Sequence, residues 1–191
     1  MNDYPQITYH PLTPDRWGDF EGLFGLHGAY GGCWCMYWRL KRLDWTRACG
    51  EGNKKAMRQL VESDNVPGIL LYRADQVVGW CSVAPREDYP SLNRSPIYRR
   101  IDEQQVWSIV CFFIRKEFRG QGYLVELIRS AVNYARRNGA KFVEAYPKDS
   151  AEHQHPVNVY MGITSVFLKE GFVEVARRSP KSPILRYQIQ T

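Results

Sequence analysis

Val106-Trp-Ser-Ile-Val-Cys-Phe-Phe-Ile-Arg-Lys-Glu-Phe-Arg-Gly-Gln-Gly-Tyr-Leu-Val-Glu-Leu-Ile-Arg-Ser-Ala-Val-Asn-Tyr-Ala-Arg-Arg137 decides the fold. Residues 106–114 are nearly unbroken apolar, the pattern of a central strand covered on both faces. Leu124, Leu127, Ile128, Ala131, Val132 and Ala135 then recur at spacings of three and four, which makes an amphipathic helix with Arg129, Asn133 and Arg136 outward. Gly139 stops it, and Lys141-Phe-Val-Glu-Ala-Tyr146 reads as the next strand. Strand, helix, strand in that order is a right-handed crossover with a parallel pair. The turn Arg119-Gly-Gln-Gly-Tyr123 therefore opens a helix, where main-chain N–H groups are free and the helix dipole is positive. Such a turn cradles phosphate. Gly120 and Gly122 let oxygens reach the main chain without a Cβ in the way, and Arg115 or Arg119 adds charge. A tight turn without a ligand would explain one of the glycines. No Gly-Lys-Ser/Thr ending marks a nucleotide P-loop, and neither a third glycine nor an acidic residue about 20 positions on marks a dinucleotide fingerprint.

On the N-terminal side, Gln6-Ile-Thr-Tyr-His10 alternates like a short strand. Pro14-Asp-Arg-Trp17 opens a helical pattern with Trp17, Phe20, Leu23 and Phe24 on one stripe. Glycines 25, 28, 31 and 32 end it before the aromatic run Cys33-Trp-Cys-Met-Tyr-Trp-Arg39. A second helix is expected from Asn53 to Glu62, with Asn53 as its cap and Ala56, Met57, Leu60 and Val61 inward. Ile69 to Tyr72 and Val77 to Val83 flank a loop at 74–76 and form an antiparallel pair. Pro85 to Gln105 is polar and Pro-punctuated, a long surface loop of the kind that often carries function. A last helix is expected near Tyr160 to Glu170, before closing strands at 172–176 and 185–189.

Composition limits the function classes. A chain of 191 residues with 44% hydrophobic and 24% charged residues suits one soluble globular domain, 1–191, in which 1–65 supplies two helices and the aromatic run and 66–178 the core. The longest apolar run is six residues, and the first five carry no signal-like pattern, so a cytoplasmic protein without a membrane partner is expected. The charge of +6 comes from scattered arginine pairs rather than a stripe, which argues against nucleic acid and suits a small polyanion. Five cysteines, an odd number, point to free thiols. Cys33-x-Cys35 is not the usual zinc spacing, so no metal is expected.

Ile114-Arg-Lys-Glu-Phe-Arg-Gly-Gln-Gly-Tyr123 resembles motif A of the GNAT family of acetyl-CoA-dependent N-acetyltransferases, and Phe167-Leu-Lys-Glu-Gly-Phe172 resembles the ending of its motif B. The order of elements is also that family's. The segment Gly31-Gly-Cys-Trp-Cys-Met-Tyr-Trp-Arg39 resembles one bacterial subgroup. The resemblance implies an α/β fold with a mixed central sheet, flanking helices and two splayed parallel central strands. It implies that acetyl-CoA is the co-substrate, held by Arg119, Gly120, Gln121, Gly122, Tyr123 and Leu124 at its pyrophosphate and by main-chain groups of Phe112 and Ile114 along its pantetheine arm. An amine acceptor, expected to be a small molecule, would attack the thioester directly in a ternary complex. Two positions depart from the pattern. Leu124 replaces a usual glycine or alanine, and Phe167 replaces the tyrosine that protonates the leaving thiolate.

Glu144 shares a strand face with Phe142 and Tyr146 beside the expected splay and is the first choice of general base; the alternative is a strand carboxylate paired with an arginine. Asp149, His153 and His155 are lesser candidates. Tyr160 is a weak stand-in for the acid, because seven residues of regular helix would carry it about 10 Å along the axis from position 167. Trp34, Tyr37 and Trp38 are expected to border the acceptor, with core packing as the alternative for each, and Glu87 to select a cationic one. A non-catalytic CoA-binding or regulatory domain is the second reading. Oligomeric state stays open, homo-oligomers included.

Overall fold

A computed structural model describes residues 6–149 and 160–190. In chain order the elements are β1 (Ile7–Pro11), α1 (Trp17–Phe24), α2 (Arg42–Arg47), α3 (Glu51–Glu62), β2 (Ile69–Arg73), β3 (Gln76–Pro85), α4 (Pro90–Arg94), β4 (Trp107–Ile114), α5 (Tyr123–Arg137), β5 (Phe142–Ala145), α6 (Thr164–Lys169), β6 (Val173–Arg177) and β7 (Pro183–Gln188). The strands form one mixed sheet in the order β1-β2-β3-β4-β5-β7-β6, antiparallel except for β4 beside β5.

Alternation along β2 sends Ile69 and Leu71 to one face and Leu70 and Tyr72 to the other, so each face has its own core. The first core packs Leu127, Ile128, Ala131 and Ala135 of α5 against β3, β4 and β5. The second packs Trp17, Phe20, Leu23 and Phe24 of α1 against Trp80. The helical stripes expected from spacing are the buried ones, because period 3.6 and a flat apolar partner leave no other stable docking.

Three local expectations change. Asn53 is not a cap: α3 begins at Glu51, and Asn53 is fully buried, donating through Nδ2 to the carbonyls of Gly32 (3.0 Å) and Trp45 (3.3 Å). Residues 85–105 are not a surface loop, since they include α4 and bury Arg86, Tyr89, Leu92 and Tyr98. Polar composition misleads there because the Tyr89 hydroxyl and the Arg86 Nη1 and Nη2 groups meet their partners inside the fold. Finally α6 starts at Thr164, leaving Tyr160 in the turn before it.

Two irregularities in β4 prepare the site. Val83 pairs with Ile109 and Ser82 with Cys111, so Val110 is an unpaired bulge residue. Pairing between β4 and β5 covers only Trp107, Ser108 and Ile109 against Val143, Glu144 and Ala145; beyond Ile109 the two strands part.

Because Asn53 ties the glycine loop to α2 and α3 from a dry position, Asn53→Ala should lower unfolding free energy by about 1–3 kcal/mol, the cost of losing its two buried hydrogen bonds. Urea unfolding checks this, and Asn53→Asp, which buries a charge, should cost more.

Candidate active site

The turn between β4 and α5 leaves its main chain open at the start of a helix. Gly120 and Gly122 have φ of +73° and +86°, a region that side chains other than glycine rarely adopt, and a Cβ at either would meet nothing within 4 Å. Open space in place of packing means that backbone conformation, with room for a ligand, is what calls for glycine here. Gly122 is the N-cap of the 15-residue α5 and offers no side-chain cap, so the first N–H groups of the helix stay available. Gln121 folds back through Nε2 onto the Glu117 carbonyl (2.7 Å), and Arg119 through Nε onto the Ile114 carbonyl (2.9 Å). Tyr123 is buried against Phe118, while Leu124 packs half-buried on the α5 core.

The edge that β4 turns toward the gap is occupied by the chain itself. Phe112 N–H donates to the Tyr160 carbonyl (2.6 Å). On the far side Lys148 N–H donates to Gly162 (3.1 Å) and Thr164 N–H to Lys148 (2.8 Å), so residues 160–164 lie between β4 and the continuation of β5 like a short extra strand. Phe112 and Ile114 lie on the edge of β4 that faces the gap, with one main-chain group of each already engaged.

Glu144 lies at the root of the gap and is not a free base. Its carboxylate receives Arg186 (2.7 Å), Arg86 (3.4 Å) and the Tyr146 hydroxyl (2.9 Å), with side-chain exposure of 4%. Arg86 extends to Asn93 (3.0 Å) and the Tyr98 carbonyl (2.6 Å), Arg186 to Asp102 (2.7 Å), and Ser108 meets Tyr146 (2.8 Å). Burial, then the Glu144 charge, raise the Tyr146 hydroxyl far above the phenol range. The paired-carboxylate alternative describes Glu144, because every approach to its oxygens is taken by a donor. Asp149 is likewise held by Arg177 and Thr164 (3.0 Å), and His153 and His155 lie outside the described residues.

The aromatic run divides between cores. Trp34 is buried against Trp17 and Phe24, away from the gap. Trp38 and Tyr37 turn the other way: Trp38 packs edge-on to Tyr37 (4.9 Å) and Tyr98 (5.8 Å), in a cluster with Val110, Cys111, Tyr146 and Tyr160. Consecutive left-handed residues, Trp34 at φ +44° and Cys35 at +56°, make this division. Glu87 is ion-paired with Arg100 at the surface. Phe167 is fully buried on Phe112 and Phe172 and itself brings no hydroxyl. Tyr160 instead ties to β4 through its carbonyl at Phe112, its ring in the cluster that holds Cys111, Tyr37 and Tyr98. Burial, then the Cys111 neighbour, keep its hydroxyl protonated. Arg86 and Tyr98 went unforeseen; both sit in a stretch whose sequence carries no periodic signal.

The sequence profile of the acetyltransferase (GNAT) family matches residues 34–160, two thirds of the chain. The chain belongs to this family. Solved structures share the fold at low identity. A GNAT-family acetyltransferase from Listeria monocytogenes superposes with a TM-score of 0.58 at 10% identity, over 96% of this chain and 95% of that one. The PaiA N-acetyltransferase of Thermoplasma acidophilum, solved in complex with coenzyme A, gives 0.54 at 11% over 96% and 99%. An acetyltransferase from Thermus thermophilus gives 0.53 at 17% over 97% and 99%. No curated protein matches in sequence. Among the described residues no helix is long and apolar enough to cross a membrane, and no three His, Cys, Asp or Glu side chains are placed to hold a metal ion.

Removing one member of the Glu144 pairings strands buried guanidinium charge. Glu144→Ala should therefore cost about 3–5 kcal/mol in chemical denaturation. Glu144→Gln, which can still accept hydrogen bonds, should cost less.

Proposed function

We propose that this chain is an N-acetyltransferase that moves the acetyl group of acetyl-CoA to an amine by direct attack. The observation that carries this reading is the pairing of an open, glycine-backed helix N-terminus with a strand edge directly before it that β5 has left and that only single turn and side-chain contacts now occupy. The cradle fits a pyrophosphate, with Arg119 and Arg115 at its flank, and the edge at Phe112 and Ile114 fits an amide-bearing arm running along β4. An arm that pairs with Phe112 takes the N–H now given to Tyr160, so one hydrogen bond replaces another at little net cost. The thioester then lies at the Val110 bulge, beside Cys111, Tyr37 and Tyr160.

In this arrangement the amine lone pair bonds to the thioester carbonyl carbon, the carbon–sulfur bond breaks, and sulfur leaves with the electron pair. Tyr160 is the group placed to give that sulfur a proton, in place of the residue at 167. The axial offset that a regular helix would impose does not apply to Tyr160, which lies in the turn ahead of α6. The second reading, a CoA-binding module without turnover, draws on Phe167. It predicts saturable acetyl-CoA binding with no free thiol released from any of a broad amine panel.

Calorimetric titration should show acetyl-CoA binding that Gly122→Glu abolishes, since that change puts a carboxylate in the cradle and strains a left-handed position; unchanged binding would refute the cofactor assignment. Tyr160→Phe should lower kcat by about 100-fold, the lower range for a positioned acid, with acetyl-CoA affinity kept. A loss under about threefold would leave protonation to water.

A further inference from the structure

We propose that the main chain of residues 160–162 is a gate on the acetyl-CoA arm: the turn stands in its closed position on β4, and the arm enters only when the turn lets go of Phe112 and swings on Gly162. This rests on the acetyl-transfer reading above and adds how entry to that site is regulated.

The closed position is defined by one atom that two partners need. Phe112 has a single main-chain N–H, and it is donated to the Tyr160 carbonyl at 2.6 Å, so the turn and an arm amide exclude each other there. The turn also fills the space beside that N–H. Gly162, at φ +90°, lies so close to two rings that a Cβ would meet Phe167 Cε2 at 2.7 Å and Phe112 Cε2 at 3.3 Å. Met161 is buried in one cluster with Val110 of β4, where Cys111 and Tyr160 pack on it. The Ile114 carbonyl, by contrast, is held by the exposed Arg119 side chain, which can turn away without disturbing a core.

The turn is anchored unevenly, and that makes it a gate. From Gly162 onward the chain is fixed to the extension of β5: Lys148 N–H donates to the Gly162 carbonyl (3.1 Å), Thr164 N–H to the Lys148 carbonyl (2.8 Å), and Thr164 Oγ1 to Asp149 Oδ1 (3.0 Å). Ahead of Gly162, among the described residues, the main chain holds β4 through the Phe112 bond alone. Release therefore frees residues 160–161 and leaves 162–164 in place. Gly162 is the pivot, since glycine passes between positive and negative φ at no steric cost. Exchanging the Phe112 hydrogen bond for one to the arm is nearly neutral. Withdrawing Met161 from its cluster is not, although methionine refills irregular space more readily than a branched side chain. The closed form thus lowers acetyl-CoA affinity by the fraction of chains that stand open. It does so for the arm alone, because the space at Gly120 and Gly122 is already open in the same structure.

The test compares acetyl-CoA with 3′-phosphoadenosine 5′-diphosphate, which carries the pyrophosphate and no arm, by calorimetric titration of the unaltered chain and of Gly162→Ala. A methyl group at residue 162 strains the closed turn through its φ and through the Phe167 contact. Acetyl-CoA should therefore bind Gly162→Ala about five- to tenfold more tightly than the unaltered chain, with affinity for the armless nucleotide kept within about twofold. Acetyl-CoA affinity that is unchanged or weaker, or that shifts equally for both ligands, overturns the gate, because a turn with only a structural role gives one of these results. Should Gly162→Ala fold poorly, stopped-flow tryptophan fluorescence on the unaltered chain decides. The association rate for acetyl-CoA should level off as its concentration rises, while the rate for the nucleotide climbs linearly. A linear rise for both overturns the proposal. Failure of the unaltered chain to bind acetyl-CoA at all would instead overturn the cofactor reading beneath it, and the gate would fall with that reading.

Discussion

Strand β4 keeps β5 beside it for three residues and then loses it, and the organisation of the site follows from that parting. Backbone N–H and C=O groups on a freed interior edge must find other partners. Here they find exchangeable ones: a turn carbonyl from Tyr160 for Phe112, and the Arg119 side chain for Ile114. A sheet neighbour would cost a whole ladder to remove. A single turn contact or a surface guanidinium can be traded one for one against a ligand amide, so the gap is closed enough to be stable and open enough to be used. The bulge at Val110 breaks the pairing of β4 with β3 at the same level, so both neighbours of β4 change their hold on it just past Ile109.

The parting is held by the buried charges at its root. Arg86, Glu144 and Arg186 link β3's end, β5 and β7, and Arg86 reaches across to Asn93 and the Tyr98 carbonyl, tying residues 86–102 to the sheet. Such a network contributes little net stability relative to an apolar core of equal volume, since desolvation offsets attraction. Its value is positional. Tyr146 sits where the sheet ladder stops, hydrogen-bonded to Glu144, Arg86 and Ser108, and Tyr98 packs on it at 5.4 Å. The Tyr98 and Tyr146 rings are thereby fixed where β5 ends.

How much of this could be read without coordinates differs by element. The stripes on α1 and α5, the apolar β4, the hairpin at 74–76 and the glycine cradle are local patterns, set by side-chain period or by the φ that glycine allows. Each was legible because its physics closes within about fifteen residues. The roles of Glu144, Glu87 and Trp34 were not, because a carboxylate or an indole reads alike whether it is free or enclosed. Arg86 lies 58 residues from Glu144 and Asp102 lies 84 from Arg186, and no period connects them.

By itself, then, the sequence determined the strand, cradle and helix that place this chain among the acetyltransferases, since an apolar run, two glycines and a 3.6-residue stripe act through neighbours in the chain. Only the tertiary structure decided which candidates remain chemically free. Folding brings Arg86 and Arg186 onto Glu144, Arg100 onto Glu87 and the Tyr160 turn onto Phe112, and a charge or hydrogen bond is spent by whichever group the fold sets within reach of it.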